Sequence, residues 1–99
     1  MKIEDVKKNL NWDFDVNKES LSLKRDAFFA FVIDVWEGRP QLVLYTVKRN
    51  GSTTDELEIN PPREMLVKAV EEQGGSLKRS CLYNINAEIR GWIEKNLLS

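Results

Sequence analysis

The sequence predicts an α+β protein: an antiparallel meander of three or four strands with an N-terminal helix and two C-terminal helices, in two layers. Two turn signals and one matched face predict it. Asn50-Gly51, between alternating segments, is the strongest short-range signal for a two-residue hairpin. Gly38-Arg39 marks a turn one strand earlier. Centred on that earlier pair, the pattern sets Trp36 opposite Gln41, Val35 opposite Leu42, Ile33 opposite Leu44 and Phe29 opposite Lys48. Centred on Asn50-Gly51, it sets Arg49 opposite Ser52, Lys48 opposite Thr53, Leu44 opposite Leu57 and Leu42 opposite Ile59. Both turns agree on one apolar face: Phe29, Phe31, Ile33, Val35, Leu42, Leu44, Leu57 and Ile59. A slip of one residue would turn every one of these side chains outward.

The elements follow in order. Residues 2–11 predict a short helix, with Ile3, Val6 and Leu10 at helical spacing. Trp12, Phe14 and Val16 then alternate with Asp13 and Asp15, an extended lead-in. Leu21 and Leu23 alternate with Ser20, Ser22 and Lys24 as a first strand, turning at Lys24-Arg25-Asp26 into the strong strand 27–36. The register of that first strand stays open. Asn60-Pro61-Pro62 predicts a helix start, with Asn60 as cap and proline in the first turn. Met65, Leu66, Ala69 and Val70 give that helix its apolar stripe, and Gly74 its left-handed stop. Residues 76–98 fit either one long helix or a short strand (Leu77-Arg79-Cys81-Tyr83) followed by a helix capped by Asn84 or Asn86. Two asparagines in mid-helix favour the second.

Composition narrows the chemistry. At 99 residues the chain is read as one domain, 1–99, able to bury roughly two-thirds of its unfolded surface. Fifteen basic and sixteen acidic side chains leave a net charge of -1, so no global field draws it to nucleic acid or an anionic membrane. There is no histidine, which removes the commonest general base and metal ligand. One cysteine, Cys81, leaves no partner for an intramolecular disulfide and fits a reducing cytoplasm. No apolar run suggests a signal peptide or a membrane span. No metal or cofactor is implied, and the chain is read as non-enzymatic. The order helix, strands, helix is shared with double-stranded-RNA-binding domains and secretion-chaperone-like folds. The loop motifs and basic helix start of the former are missing, and such an order is too widespread to carry function.

Four constellations remain. The second sheet face carries Phe28, Val32 and Trp36 on one strand and Val43, Tyr45 and Val47 on the next, where a solvated face would alternate to polar residues. It is either covered by the N-terminal helix through Ile3, Val6 and Leu10, or is an interface for a second copy or a protein partner. Lys24, Arg25, Lys48 and Arg49 gather at one end of the meander and offer the alternative, a nucleic-acid backbone site. Ser76, Lys78 and Arg79, after Gly74-Gly75, form a weak anion site without phosphate-loop spacing. Asp34, Glu56 and Glu58 share the second face and supply the carboxylates that acid–base chemistry would need. The reading favoured is a small cytoplasmic interaction domain of regulator, inhibitor or adaptor type that binds a second copy of itself or a protein partner through the apolar face.

Overall fold

The computed structural model describes residues 3–19, 27–48 and 51–99. The chain forms α1 (Ile3–Asn9), α2 (Val16–Glu19), β1 (Phe28–Trp36), β2 (Arg39–Lys48), β3 (Gly51–Glu56), α3 (Arg63–Glu72), β4 (Cys81–Asn84) and α4 (Ala87–Asn96). The strands make one antiparallel sheet in the order β3-β2-β1-β4. The α+β class with helices before and after the sheet is the one the sequence predicts.

Both hairpins sit two residues away from the predicted register. Ile33 pairs with Leu42 rather than Leu44, and Trp36 with Arg39. Leu44 pairs with Asp55 rather than Leu57, and Lys48 with Gly51. The cause is visible in the first turn. Glu37 and Gly38 are its central residues, at φ 50° and 78°, the positive pair that a type I′ turn requires. Glycine takes the second of the two places, whereas the pattern centred on Gly38-Arg39 puts it first. Arg49 and Asn50 lie outside the described residues; the pairing of Lys48 with Gly51 puts that glycine in the strand. A shift of two preserves parity, so each strand residue keeps its predicted face. The ends do change. Leu57 still packs at the core margin, but Ile59 is 54% exposed and leaves the predicted face.

On the predicted core face, Phe31, Ile33, Val35, Leu42 and Leu44 are buried against Leu66, Ala69 and Val70 of α3 and Ile89 and Ile93 of α4. Burial of each such aliphatic side chain contributes about 1.5–3 kcal/mol. Val6 of α1 joins the same core. The N-terminal helix therefore packs beside α3 and α4 and does not cover the second face.

Helix ends and strand ends explain the remaining differences. Pro62 occupies the N-cap of α3 without a side-chain cap bond. Asn60 is spent elsewhere: its Oδ1 accepts from Leu42 N at 2.5 Å and its Nδ2 donates to Leu57 O at 3.2 Å. That amide serves β2 where β3 has already ended, and an unpaired strand N–H outweighs a helix cap that proline's missing N–H makes less necessary. Gly74 (φ 76°) stops α3, its N–H donating to Glu71 O at 3.0 Å while Gly75 N donates to Val70 O at 2.9 Å, the paired bonds of a Schellman motif. The last segment takes the strand-then-helix form. β4 pairs with β1 from Val35↔Cys81 to Val32↔Asn84, and Asn86 Oδ1 caps α4 by accepting from Ile89 N at 2.9 Å. The strand begins at Cys81 rather than Leu77.

The predicted first strand, Leu21 to Lys24, lies outside the described residues. The place it would take beside β1 belongs to β4 and to Leu10, which bridges Phe29 in parallel, with Asn11 N donating to Phe29 O at 2.8 Å.

Candidate functional site

The second sheet face is closed by the chain itself. Between Trp12, which stacks on Phe31 in the helix-side core with ring centroids 6.1 Å apart, and Phe14, the chain crosses the sheet edge. Phe14 then meets Phe28 and Tyr45, each with ring centroids 5.7 Å away. Val16 packs on Val32 and Val43, with Leu82 beside them. Val32, Val43 and Val47 are at most 1% exposed. Of the six residues read as a partner-binding face, these three are interior, Phe28 and Tyr45 are half-buried, and Trp36 stands open at 65% exposure beside the first turn. The alternation Trp12, Phe14, Val16 is the signal for this cover. Predicting the side of the sheet needed the crossing between Trp12 and Phe14, which no local pattern announces.

Lys48 is exposed at the end of β2, whereas Lys24, Arg25 and Arg49 lie outside the described residues. Among the carboxylates, Asp34 sits opposite Gln41 and beside Leu82, and burial pushes its carboxyl up, with the negative Glu56 adding to the shift. Gln41 Nε2 donates to Glu56 Oε1 at 3.2 Å. Glu58 is exposed beyond the end of β3. No group of three or more acidic, Cys or His side chains among the described residues is arranged to hold a metal.

A cleft of about 480 Å³ runs along the outer edge of β4. Its floor is Cys81, Leu82 and Tyr83. One wall is the loop Gln73-Gly74-Gly75-Ser76, the other is Asn17 of α2, and Arg79 lies at one end. The loop is held down by Tyr83, whose hydroxyl accepts from Ser76 N and donates to Ser76 O, both at 3.2 Å. The Tyr83 ring lies against the Gly75 backbone so closely that a β-carbon there would stand 2.7 Å from Cζ and 2.9 Å from Val70 O. Glycine at 75 is thus a packing requirement.

Gln73 shapes the cleft's far end. Its Nε2 donates to Asn84 O (2.8 Å) and Ala69 O (2.9 Å), and its Oε1 accepts from Asn84 N (3.0 Å). The Asn84 side chain in turn accepts from Val16 N (2.8 Å) and donates to Asp15 Oδ1 (3.0 Å). The Asn17 N–H and then the Asn84 amide hold the Asp15 carboxyl below its ordinary range.

The main-chain groups of Asn84 therefore point away from β1. Alternation along an antiparallel strand sends those of Leu82 the same way, into the cleft, while Cys81 and Tyr83 bond to β1. No partner for the Leu82 N–H or C=O is present among the described residues.

The predicted anion site is only partly realised. Ser76 and Arg79 line the cleft and Lys78 is exposed next to it. The loop's own donors are already used: Gly74 N and Gly75 N cap α3, Ser76 N meets Tyr83, Lys78 N meets Ser76 Oγ at 3.1 Å, and Arg79 N meets Ser76 O at 3.5 Å. What remains for a ligand is the Arg79 guanidinium, which has no ion-pair partner among the described residues. Comparison with protein-family models, with curated proteins and with solved structures gives no match.

The cleft residues Asn17, Gln73, Cys81, Leu82 and Tyr83 are not singled out by the sequence. They come together because α3 ends at the level of Asn84 and the N-terminal segment crosses to the opposite face. A second concavity of about 240 Å³, lined by Trp12, Ile85, Asn86, Ala87 and Arg90, has its cation engaged. The Arg90 guanidinium lies 4.7 Å from the Trp12 ring centroid, and its Nε donates to Glu94 at 3.1 Å.

Proposed function

We propose that this chain is a small non-enzymatic interaction domain that receives an extended segment of a protein partner in the cleft along β4. The observation that carries this reading is the pairing edge at Leu82, without a partner among the described residues and set at the bottom of a walled cleft. Addition of a strand to an open sheet edge gives affinity through main-chain hydrogen bonds and selectivity through the flanking walls. The apolar face first suggested as the interface supports the reading less well, because Phe14 and Val16 already occupy it. A reducing compartment such as the cytoplasm suits the half-buried free thiol of Cys81 in the cleft floor. No helix among the described residues is long and apolar enough to cross a membrane.

The test is selection from a displayed library of random heptapeptides, followed by fluorescence anisotropy with the selected peptides. Strand addition predicts saturable binding that is lost on N-methylation of alternate peptide amides. Absence of any selected peptide, or binding indifferent to N-methylation at every position, would contradict it.

A further inference from the structure

The charge at one end of the cleft specifies the ligand's chemistry and direction. Gln73 already fills the pairing positions of Asn84, so the edge open to an incoming strand extends from there past Leu82 to Arg79. At that end the Arg79 guanidinium has no ion-pair partner among the described residues, and Lys78 is exposed beside it. Glu37, whose main-chain N–H donates to Ser80 Oγ at 3.3 Å, makes no ion pair with Arg79.

We infer that the cleft takes an extended peptide running antiparallel to β4, with a carboxylate at its C-terminal end bound by Arg79. Antiparallel pairing brings the C-terminal end of the ligand to the cation, whereas parallel pairing would bring its N-terminal end there. Guanidinium and carboxylate match in a two-bond fork, a geometry lysine cannot reproduce. The carboxylate is the peptide's own terminus, the one carboxylate whose place in the chain fixes the direction of pairing. This inference rests on the strand-addition reading above and adds the charge and polarity of the ligand.

The experiment uses the full chain and heptapeptides displayed with a free C-terminus. Selected peptides should bind through their free C-terminus, with no fixed Asp or Glu required elsewhere. Arg79→Ala should weaken their binding by roughly ten- to a hundredfold, as expected for loss of a charge-assisted pair. Arg79→Lys should restore only part of it, and Lys48→Glu, on another part of the sheet, should leave it unchanged. Amidation of the terminus should weaken binding as much as Arg79→Ala does, whereas loss on Glu→Gln exchange with amidation harmless would overturn this inference. Peptides that bind equally well to Arg79→Ala would overturn this inference and leave strand addition standing. Failure to select any peptide would overturn both.

Discussion

The Gln73 side-chain amide pairs with the main chain of Asn84 as a neighbouring strand would, donating to its carbonyl at 2.8 Å and accepting from its N–H at 3.0 Å. β4 is an edge strand, and an edge presents unpaired groups that invite other chains. One side chain blocks that edge at Asn84 and leaves it open at Leu82. Gln73→Ala removes three hydrogen bonds and should lower stability by about 1–2 kcal/mol in urea unfolding. Gln73→Glu should be worse than alanine, because it turns a carboxylate toward the carbonyls of Ala69 and Asn84.

Two glycines should respond to alanine in opposite directions. At Gly75 a β-carbon collides with the Tyr83 ring and stands 2.9 Å from Val70 O, so Gly75→Ala should destabilise by about 1–3 kcal/mol and disturb the cleft wall. Gly91 lies inside α4 with nothing within 4 Å of its added carbon. Gly91→Ala should stabilise by about 0.5–1 kcal/mol through helix propensity. Chemical denaturation of both variants checks the pair.

Thr46 carries a buried hydroxyl with no hydrogen-bond partner among the described residues. It faces the helix-side core between Phe29 on β1 and Thr53 on β3. Thr46→Val replaces that oxygen with a methyl and should stabilise by about 1 kcal/mol. A lower unfolding midpoint for the valine variant would contradict this.

Asp15 and Asp34 should leave opposite marks on the pH dependence of stability. The Asp15 carboxyl is held below the ordinary 3.8, so its contribution is complete above that value and is lost as pH falls through the folded-state pKa. Asp34 is raised by burial and by Glu56. Its ionisation opposes folding at neutral pH, and stability is regained as pH falls through its folded-state pKa toward 3.8. Asp34→Asn should therefore unfold at higher urea than the parent at pH 7, by less than about 1 kcal/mol after solvent screening, with the gap closing on acidification. Asp15→Asn should unfold earlier at pH 7, its gap closing at lower pH. Urea melts from pH 3 to 7 separate the two.

Much of the fold is legible in the residues because face assignment depends on parity and parity survives an error of two. The hairpin at Glu37-Gly38 shows this: the register shifted, yet Ile33, Val35, Leu42 and Leu44 stayed in the core. The cap at Asn86 and the stop at Gly74 are local chemistry and were readable for that reason. The cleft was not, since its parts are joined by long-range pairs. Asn84 meets Asp15 across 69 positions and Val16 across 68, and short-range patterns carry no information at that distance. Asn60 shows a related ambiguity: a residue good at capping helices is equally good at completing a strand, and tertiary context decided.

The central claim is that Leu82 offers a pairing edge, and amide chemical-shift mapping of the ¹⁵N-labelled chain against a selected peptide tests it most directly. The account predicts that the Leu82 amide moves most, with Asn17, Ser76 and Arg79 following, and that its hydrogen exchange slows on binding. Shifts concentrated on Trp36, Tyr45 and Phe28, with Leu82 unmoved, would contradict it and return the interface to the second sheet face.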